Sequence, residues 1–309
     1  MHMEQKKRVI ALGFFDGVHL GHGALLSLCA RRAEELGAIP AAFTFDVHPA
    51  SFITGSATPL LSSAADRAGL MQRCYGIQDI LVGHYDRQMM KTPWRDFVTQ
   101  LLVGAYNAVH LVVGHDYRFG YKGEGNPQRL QELCAELGLG CDIVPRVELN
   151  GITVSSTHIR TLIAQGEMAE AVRFLGHPHV LTDTVAHGKR LGTTLGFPTV
   201  NLRIPQGVLV PAHGVYATQI VLEDGSRHDA VTNIGVRPTV NDGSHLTVES
   251  FLLHYEGDLY GRELRVEFFH FLRPEQRFDS LEELRDEVLR NVRQTEEYFA
   301  AHTPGKEPF

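Results

Sequence analysis

Ten residues near the N-terminus, Gly13-Phe14-Phe15-Asp16-Gly17-Val18-His19-Leu20-Gly21-His22, join an apolar run at 9–12 to a helical pattern at 22–36. A buried strand that turns through glycines into a helix points to layered β–α architecture. The junction sets two imidazoles and a relaxed backbone at a helix N-terminus. Unpaired N–H groups and the helix dipole favour an anion there. Gly17 and Gly21 let the backbone approach that anion closely. Attack on a nucleotide phosphate is the chemistry that most needs such a place.

The alternation continues to about residue 175. Runs 9–12, 41–45, 80–82 and 109–113 are apolar on both faces, as parallel strands covered on both sides require. Leu25, Leu28, Cys29, Ala33 and Leu36 mark one helical stripe; 94–103 and 127–137 offer two more helices, with Pro93 and Pro127 near their starts. Gly37 and Gly138 stand where helices should end. This predicts a doubly wound parallel α/β domain over 1–176, binding ligands at the carboxyl ends of its strands. Segments 13–22, His48-Pro49 and 114–125 all fall at those ends.

From about residue 177 the periodicity changes to two. In 264–272, Leu264, Val266 and Phe268 alternate with Arg265 and Glu267, and 215–222 and 246–255 also read as strands. Turn signals separate them, so 177–309 is expected to be an antiparallel barrel or sandwich. A last helix is expected to start at Ser280, with Glu283 completing a capping box and Leu281, Leu284, Val288 and Val292 as its buried stripe. A length of 309 residues agrees with two domains.

Net charge is −7, which argues against nonspecific nucleic-acid binding. Cys29, Cys74, Cys134 and Cys141 form no C-x-x-C pair; Cys29 and Cys134 fall on apolar helix faces, so buried free thiols are expected there rather than a zinc site. No run approaches the 18–20 apolar residues of a membrane span, and the N-terminus lacks an apolar signal core. The expectation is a cytoplasmic protein without nucleic-acid or membrane partners.

Three segments suit one nucleotide. His19 and His22 supply N–H donors for charge that develops on an α-phosphate. Gly114-His115-Asp116-Tyr117-Arg118 brings an acid, a base and aromatics to a strand end. Ser155-Ser156-Thr157 with Arg160 one turn on makes a second anion cup. Each has a plainer reading: the hydroxyls as an ordinary helix cap, and Asp116 with Arg118 as a surface ion pair.

A second set lies in 187–201. Gly188, Gly192 and Gly196 describe a loop able to fold over phosphates, or a plain linker between strands. Thr199 and Asn201, two apart on a strand, share a face and offer hard oxygens to Mg²⁺. Glu249, in mid-strand, can accept a hydroxyl proton or can belong to a rim salt bridge.

Together these residues resemble the bifunctional riboflavin kinase/FMN adenylyltransferase family, the bacterial FAD synthetases, over about 8–300. Segments 13–22, 114–125 and 155–160 look like its adenylyltransferase signatures, and 188–201 like its kinase loop and Mg²⁺ motif. Further matches are Gly214-Val215-Tyr216-Ala217, 233–239 and Asp258-Leu259-Tyr260-Gly261. The resemblance implies a Rossmann-like nucleotidyltransferase domain followed by a six-stranded riboflavin-kinase barrel and a C-terminal helix. It implies riboflavin, FMN and ATP as substrates, FAD as product, and Mg²⁺. His19 and His22 would handle the ATP phosphates. Gly13, Phe15, Asp16, Gly21 and Asp116 would join the nucleotide site, and Ser155, Ser156, Thr157 and Arg160 would hold phosphates. In the kinase half, Gly188, Lys189, Arg190 and Gly196 would bind ATP, Thr199 and Asn201 the metal, and Glu249 would be the catalytic base. Val47 and Phe251 depart from the family, which usually has Pro and often has His there. Alternatives are a chain with one activity only, a flavin-binding regulator, or a transferase acting on pantetheine or choline phosphates. The run 188–201 argues against the last.

Overall fold

The computed structural model describes residues 6–186, 197–239 and 243–302. The chain forms two compact units, Met1–Thr58 with Arg67–Ser155, and Pro59–Asp66 with Ser156–Phe309.

In the first unit, β1 (Arg8–Leu12), β2 (Ile39–Phe45), β3 (Asp79–Gly83), β4 (Ala108–Gly114) and β5 (Gly140–Val144) form a parallel sheet in the order β3-β2-β1-β4-β5. Strand order reverses between β1 and β4, the switch point at which such sheets open a crevice. The helices are α1 (Leu20–Leu36), α2 (Pro49–Thr54), α3 (Ala64–Tyr75), α4 (Arg87–Met90), α5 (Trp94–Asp96) and α6 (Pro127–Glu136). The first turn of α3 counts with the second unit. Ile10, Leu12, Phe43, Leu111 and Val113 pack with Phe97, Leu102, Leu130 and Cys134 into one core. Each such fully buried side chain contributes roughly 1.5–3 kcal/mol. As expected, α1 ends at Gly37 in the left-handed region (φ 58°), where its N–H meets the last carbonyls.

Four differences from the sequence reading have physical causes. A fifth strand, β5, escaped because Gly140, Cys141 and Asp142 interrupt its apolar run. β3 is an edge strand, so Val82 is exposed rather than covered on both faces. The helix expected over 94–103 is a π-helix from Phe97 to Ala105, whose i→i+5 bonding leaves the same apolar signal as an α-helix. Leu36, at the end of α1, lies outside the buried stripe.

In the second unit, β8 (His179–Ala186), β9 (Thr199–Leu202), β10 (Gly214–Val221), β11 (Arg227–Thr239), β12 (Gly243–Leu252) and β13 (Glu263–Arg273) close into an antiparallel barrel, β10-β11-β12-β9-β8-β13. A short hairpin, β6 (Glu148–Leu149) with β7 (Ile152–Thr153), ends the first unit. Two helices, α7 (Ser156–Gln165) and α8 (Met168–Leu175), precede the barrel, and α9 (Leu281–Ala301) follows it. Closure leaves no strand edge for foreign pairing. Segment 59–66 joins this unit through Leu60, which exchanges backbone bonds with Gly207 and Leu209 at 2.8 and 2.7 Å. Ser280 caps α9 as expected, accepting from the Glu283 N–H at 3.1 Å. The Glu283 carboxylate instead reaches the Asp279 N–H, so the box is displaced by one residue. Leu281 is exposed, and the helix buries Asn291 and Thr295, with Val292 packed on the barrel core of Val215, Val231 and Leu253.

Candidate functional sites

The loop after β1 is held by main chain and side chain together. The Gly13 N–H donates to Phe43 and the Thr44 hydroxyl to the Phe14 carbonyl. Two non-glycine residues in it take positive φ, Phe15 at 59° and Val18 at 43°, and both are fully buried. A β-branched residue there is strained by the clash of its side chain with its own backbone, and such strain persists only where packing over-determines it. The sequence carried no signal for this.

That loop delivers His19 to the N-cap of α1. Its Nδ1 accepts from the His22 N–H at 3.3 Å, and the two imidazoles stack with centroids 3.7 Å apart. Gly21 gives the stack room: a Cβ there would lie 3.1 Å from the His19 ring, tighter than ordinary contact. Phe15 meets His22 edge-on at 5.3 Å. Burial, with the fields of His19 and Arg67, holds the His22 pKa well below its ordinary value, so the ring is neutral at pH 7. Asp16 is buried in the same loop.

Beside this loop, a cavity of about 890 Å³ is lined by Gly13, Phe14, Phe45, His48, Asp116, Tyr117, Phe119 and Gly120. Burial pushes the Tyr117 phenol up. The Asp116 side chain is exposed at the rim, 4.0 Å from His115. Ser155 closes the first unit. In the second unit, Ser156 opens α7, with Thr157 next to it and Arg160 one turn on. The Arg160 Nε donates to the Pro59 carbonyl at 2.8 Å. The sequence reading missed Arg67, which donates to the Phe45 carbonyl and lies over the Phe14 ring.

The barrel carries the second cluster. Cross-strand register sets Asn201 of β9 opposite Glu249 of β12, and Glu249 opposite Asn233 of β11. Thr199 and Asn201 leave the same face of β9. A cavity of about 330 Å³ is lined by Phe197, Thr199, Asn233, Glu249, Phe251, Arg273 and Glu275, among others. Phe197 and Phe251 meet edge to face at 5.3 Å. Asn233, Arg273 and Glu275 join this cavity without belonging to the sequence motifs assigned to chemistry. Register could have found Asn233, and the other two come from the far end of β13 and the loop beyond it. Gly188, Lys189, Arg190 and Gly196 lie outside the described residues.

A family model described as FAD synthetase matches residues 1–158, and one described as riboflavin kinase matches residues 175–299. Among curated relatives named bifunctional riboflavin kinase/FMN adenylyltransferase, that of Pseudomonas fluorescens is 36% identical over 289 residues, 94% of this chain and 92% of the relative. That of Listeria monocytogenes is 34% identical over 295 residues, 95% of this chain and 93% of the relative. That of Escherichia coli is 34% identical over 301 residues, 97% of this chain and 95% of the relative. A solved structure described as a macrolide-efflux protein from Streptococcus pneumoniae superposes with a TM-score of 0.83 at 26% identity, over 94% of each chain. Among the described residues of this chain, no helix is long and apolar enough to cross a membrane. Two family models in sequence, and relatives of the same two-part name over nearly the whole chain, point to one family. The chain belongs to the bifunctional riboflavin kinase/FMN adenylyltransferase family.

Proposed function

We propose that this chain makes FAD from riboflavin by two transfers, one in each half. Residues 177–309 phosphorylate riboflavin to FMN with ATP. Residues 1–176 then adenylylate FMN with a second ATP and release pyrophosphate. The observation that carries the reading is the presence of two chemically different clusters, imidazoles before a helix and oxygen ligands on a barrel wall, each within a segment that the corresponding family model matches.

In the barrel, Glu249 accepts the proton of the terminal ribityl hydroxyl as that oxygen attacks the γ-phosphorus. Phe197 and Phe251 offer an apolar wall to the flavin ring. Thr199 and Asn201 would hold Mg²⁺; a hydroxyl and an amide oxygen beside a carboxylate are hard donors that leave coordination positions to phosphate and water. When bound, Mg²⁺ offsets phosphate charge. Gly188, Lys189, Arg190 and Gly196 are assigned to ATP on the family resemblance.

In the first half, the FMN phosphate attacks the α-phosphorus of ATP. Because the His19 Nδ1 accepts a backbone bond, the ring proton belongs on Nε2, which donates to the phosphate. His22 is stacked against it, and Gly13, Phe15, Asp16, Gly21 and Asp116 shape the nucleotide pocket. Ser155, Ser156, Thr157 and Arg160 are assigned to the polyphosphate on the family resemblance alone. The aromatic cavity suits a planar ring. Small molecules suffice as partners, and the four free thiols suit a reducing cytoplasm.

The test is incubation with riboflavin, ATP and Mg²⁺, separation of the flavins, and scoring of ADP against pyrophosphate. FMN with ADP, then FAD with pyrophosphate, is the expected result. Bound flavin without ATP turnover would sink the reading.

A further inference from the structure

We infer that Arg67 is a phosphate-contacting residue of the adenylyl-transfer site, offering Nη1 to the ATP polyphosphate. The inference rests on the adenylylation reading above. Arg67 is 2% exposed. Among the described residues, three buried side-chain polar atoms have no hydrogen-bond partner: Nδ1 of His22, Nη1 of Arg67 and Oγ1 of Thr295. The first two share one neighbourhood, since Arg67 is among the charges that act on His22.

The rest of the guanidinium is committed. Nη2 donates to the Phe45 carbonyl at 3.0 Å, and Cζ lies 4.2 Å from the centroid of the Phe14 ring. Phe45 ends β2 and Phe14 follows β1, so Arg67 is fixed among the strand ends where a doubly wound sheet binds its ligand. A guanidinium stays charged at physiological pH, and burying that charge is costly unless an anion accompanies it. Asp16 supplies part of the opposing field. The enclosed Nη1 donor matches a phosphate oxygen, and a fork clamped on two sides is pre-organised to give that bond. Loop 13–22, its two histidines and Arg67 thus form one anion-facing cluster.

The experiment compares the full-length wild type with Arg67→Met and Arg67→Lys. FAD formation from FMN and ATP gives separate KM values for the two substrates, calorimetric titration with inorganic pyrophosphate gives its Kd, and thermal melts followed by circular dichroism report the fold. For Arg67→Met, the ATP KM and pyrophosphate Kd should rise about tenfold or more, with the FMN KM within about twofold of wild type. Arg67→Lys should show a smaller rise, since it keeps the charge and loses the fork. Unchanged ATP and pyrophosphate affinities would overturn the inference. So would FMN and ATP KM values that rise together, the mark of a scaffold for Phe14 alone. If Arg67→Met does not fold, Arg67→Lys decides by the same criteria. A wild type that makes no FAD from FMN strikes the underlying reading instead.

Discussion

The imidazoles of His19 and His22 lie 12° from parallel, and the backbone of one residue is hydrogen-bonded to the ring of the other. His19 therefore has a capping duty through Nδ1, beside the phosphate-binding duty we propose for its Nε2. His19→Asn retains an acceptor at the cap and loses the second nitrogen. It should keep the wild-type melting temperature while FAD formation falls about 10²–10³-fold. His19→Ala loses both duties and should also lose roughly 0.5–2 kcal/mol of stability. Rates of FAD formation alongside thermal melts check both. FMN formation from riboflavin should be unaffected in either variant.

Glu249 faces Asn201 and Asn233 across two strand pairs. Glu249→Gln preserves the shape and removes the proton acceptor. FMN formation should drop about 10²–10³-fold, while FAD formation from supplied FMN continues at the wild-type rate. A flavin assay with each substrate supplied separately distinguishes the two, and equal loss of both activities in a folded variant would contradict two separate sites.

His179 at the start of β8 is 1% exposed and bonds the Leu209 carbonyl through Nε2 at 3.1 Å. Burial, with the charge of His177, lowers its pKa from 6.5 to about 4, against the opposing pull of the Leu209 carbonyl. Between those pH values the unfolded chain binds the extra proton, so this contribution is present above pH 6.5 and is lost as pH falls toward 4. The loss reaches about 3 kcal/mol at most. Melting temperature measured from pH 7 to 4.5 should fall more steeply for wild type than for His179→Gln, which keeps a donor and does not titrate.

Gly120 lines the aromatic cavity with φ 72°, and a Cβ there would lie 2.5 Å from the Cα of Trp94. The obstacle is main chain, which cannot swing aside. Gly120→Ala should cost about 2–4 kcal/mol from strain and overpacking, read as a lower urea midpoint for the first unit.

Much of the fold was legible because its signals are local. The glycines and the apolar run around 13–22 placed a strand–turn–helix, Gly37 stopped α1, and Ser280 capped α9. The candidate site was legible where its proposed members are neighbours in sequence, as with His19, Gly21 and His22, or Thr199 and Asn201. It was not legible where the required information is bonding geometry or packing: the π-helix from Phe97, the positive φ of Val18 and the exposure of Leu281 leave no trace in residue type.

The amino-acid order by itself determined the two architectures, the strand ends to which we assign chemistry and the residue types waiting there, because hydrophobic period, capping and turn preference act over a few residues. Only the tertiary structure decided that Asn233 stands beside Glu249, and that Arg67 reaches the loop of Phe14 and His22. Strand register and burial are set by contacts between segments distant in the chain, and a guanidinium reads as an ordinary surface charge until packing encloses it.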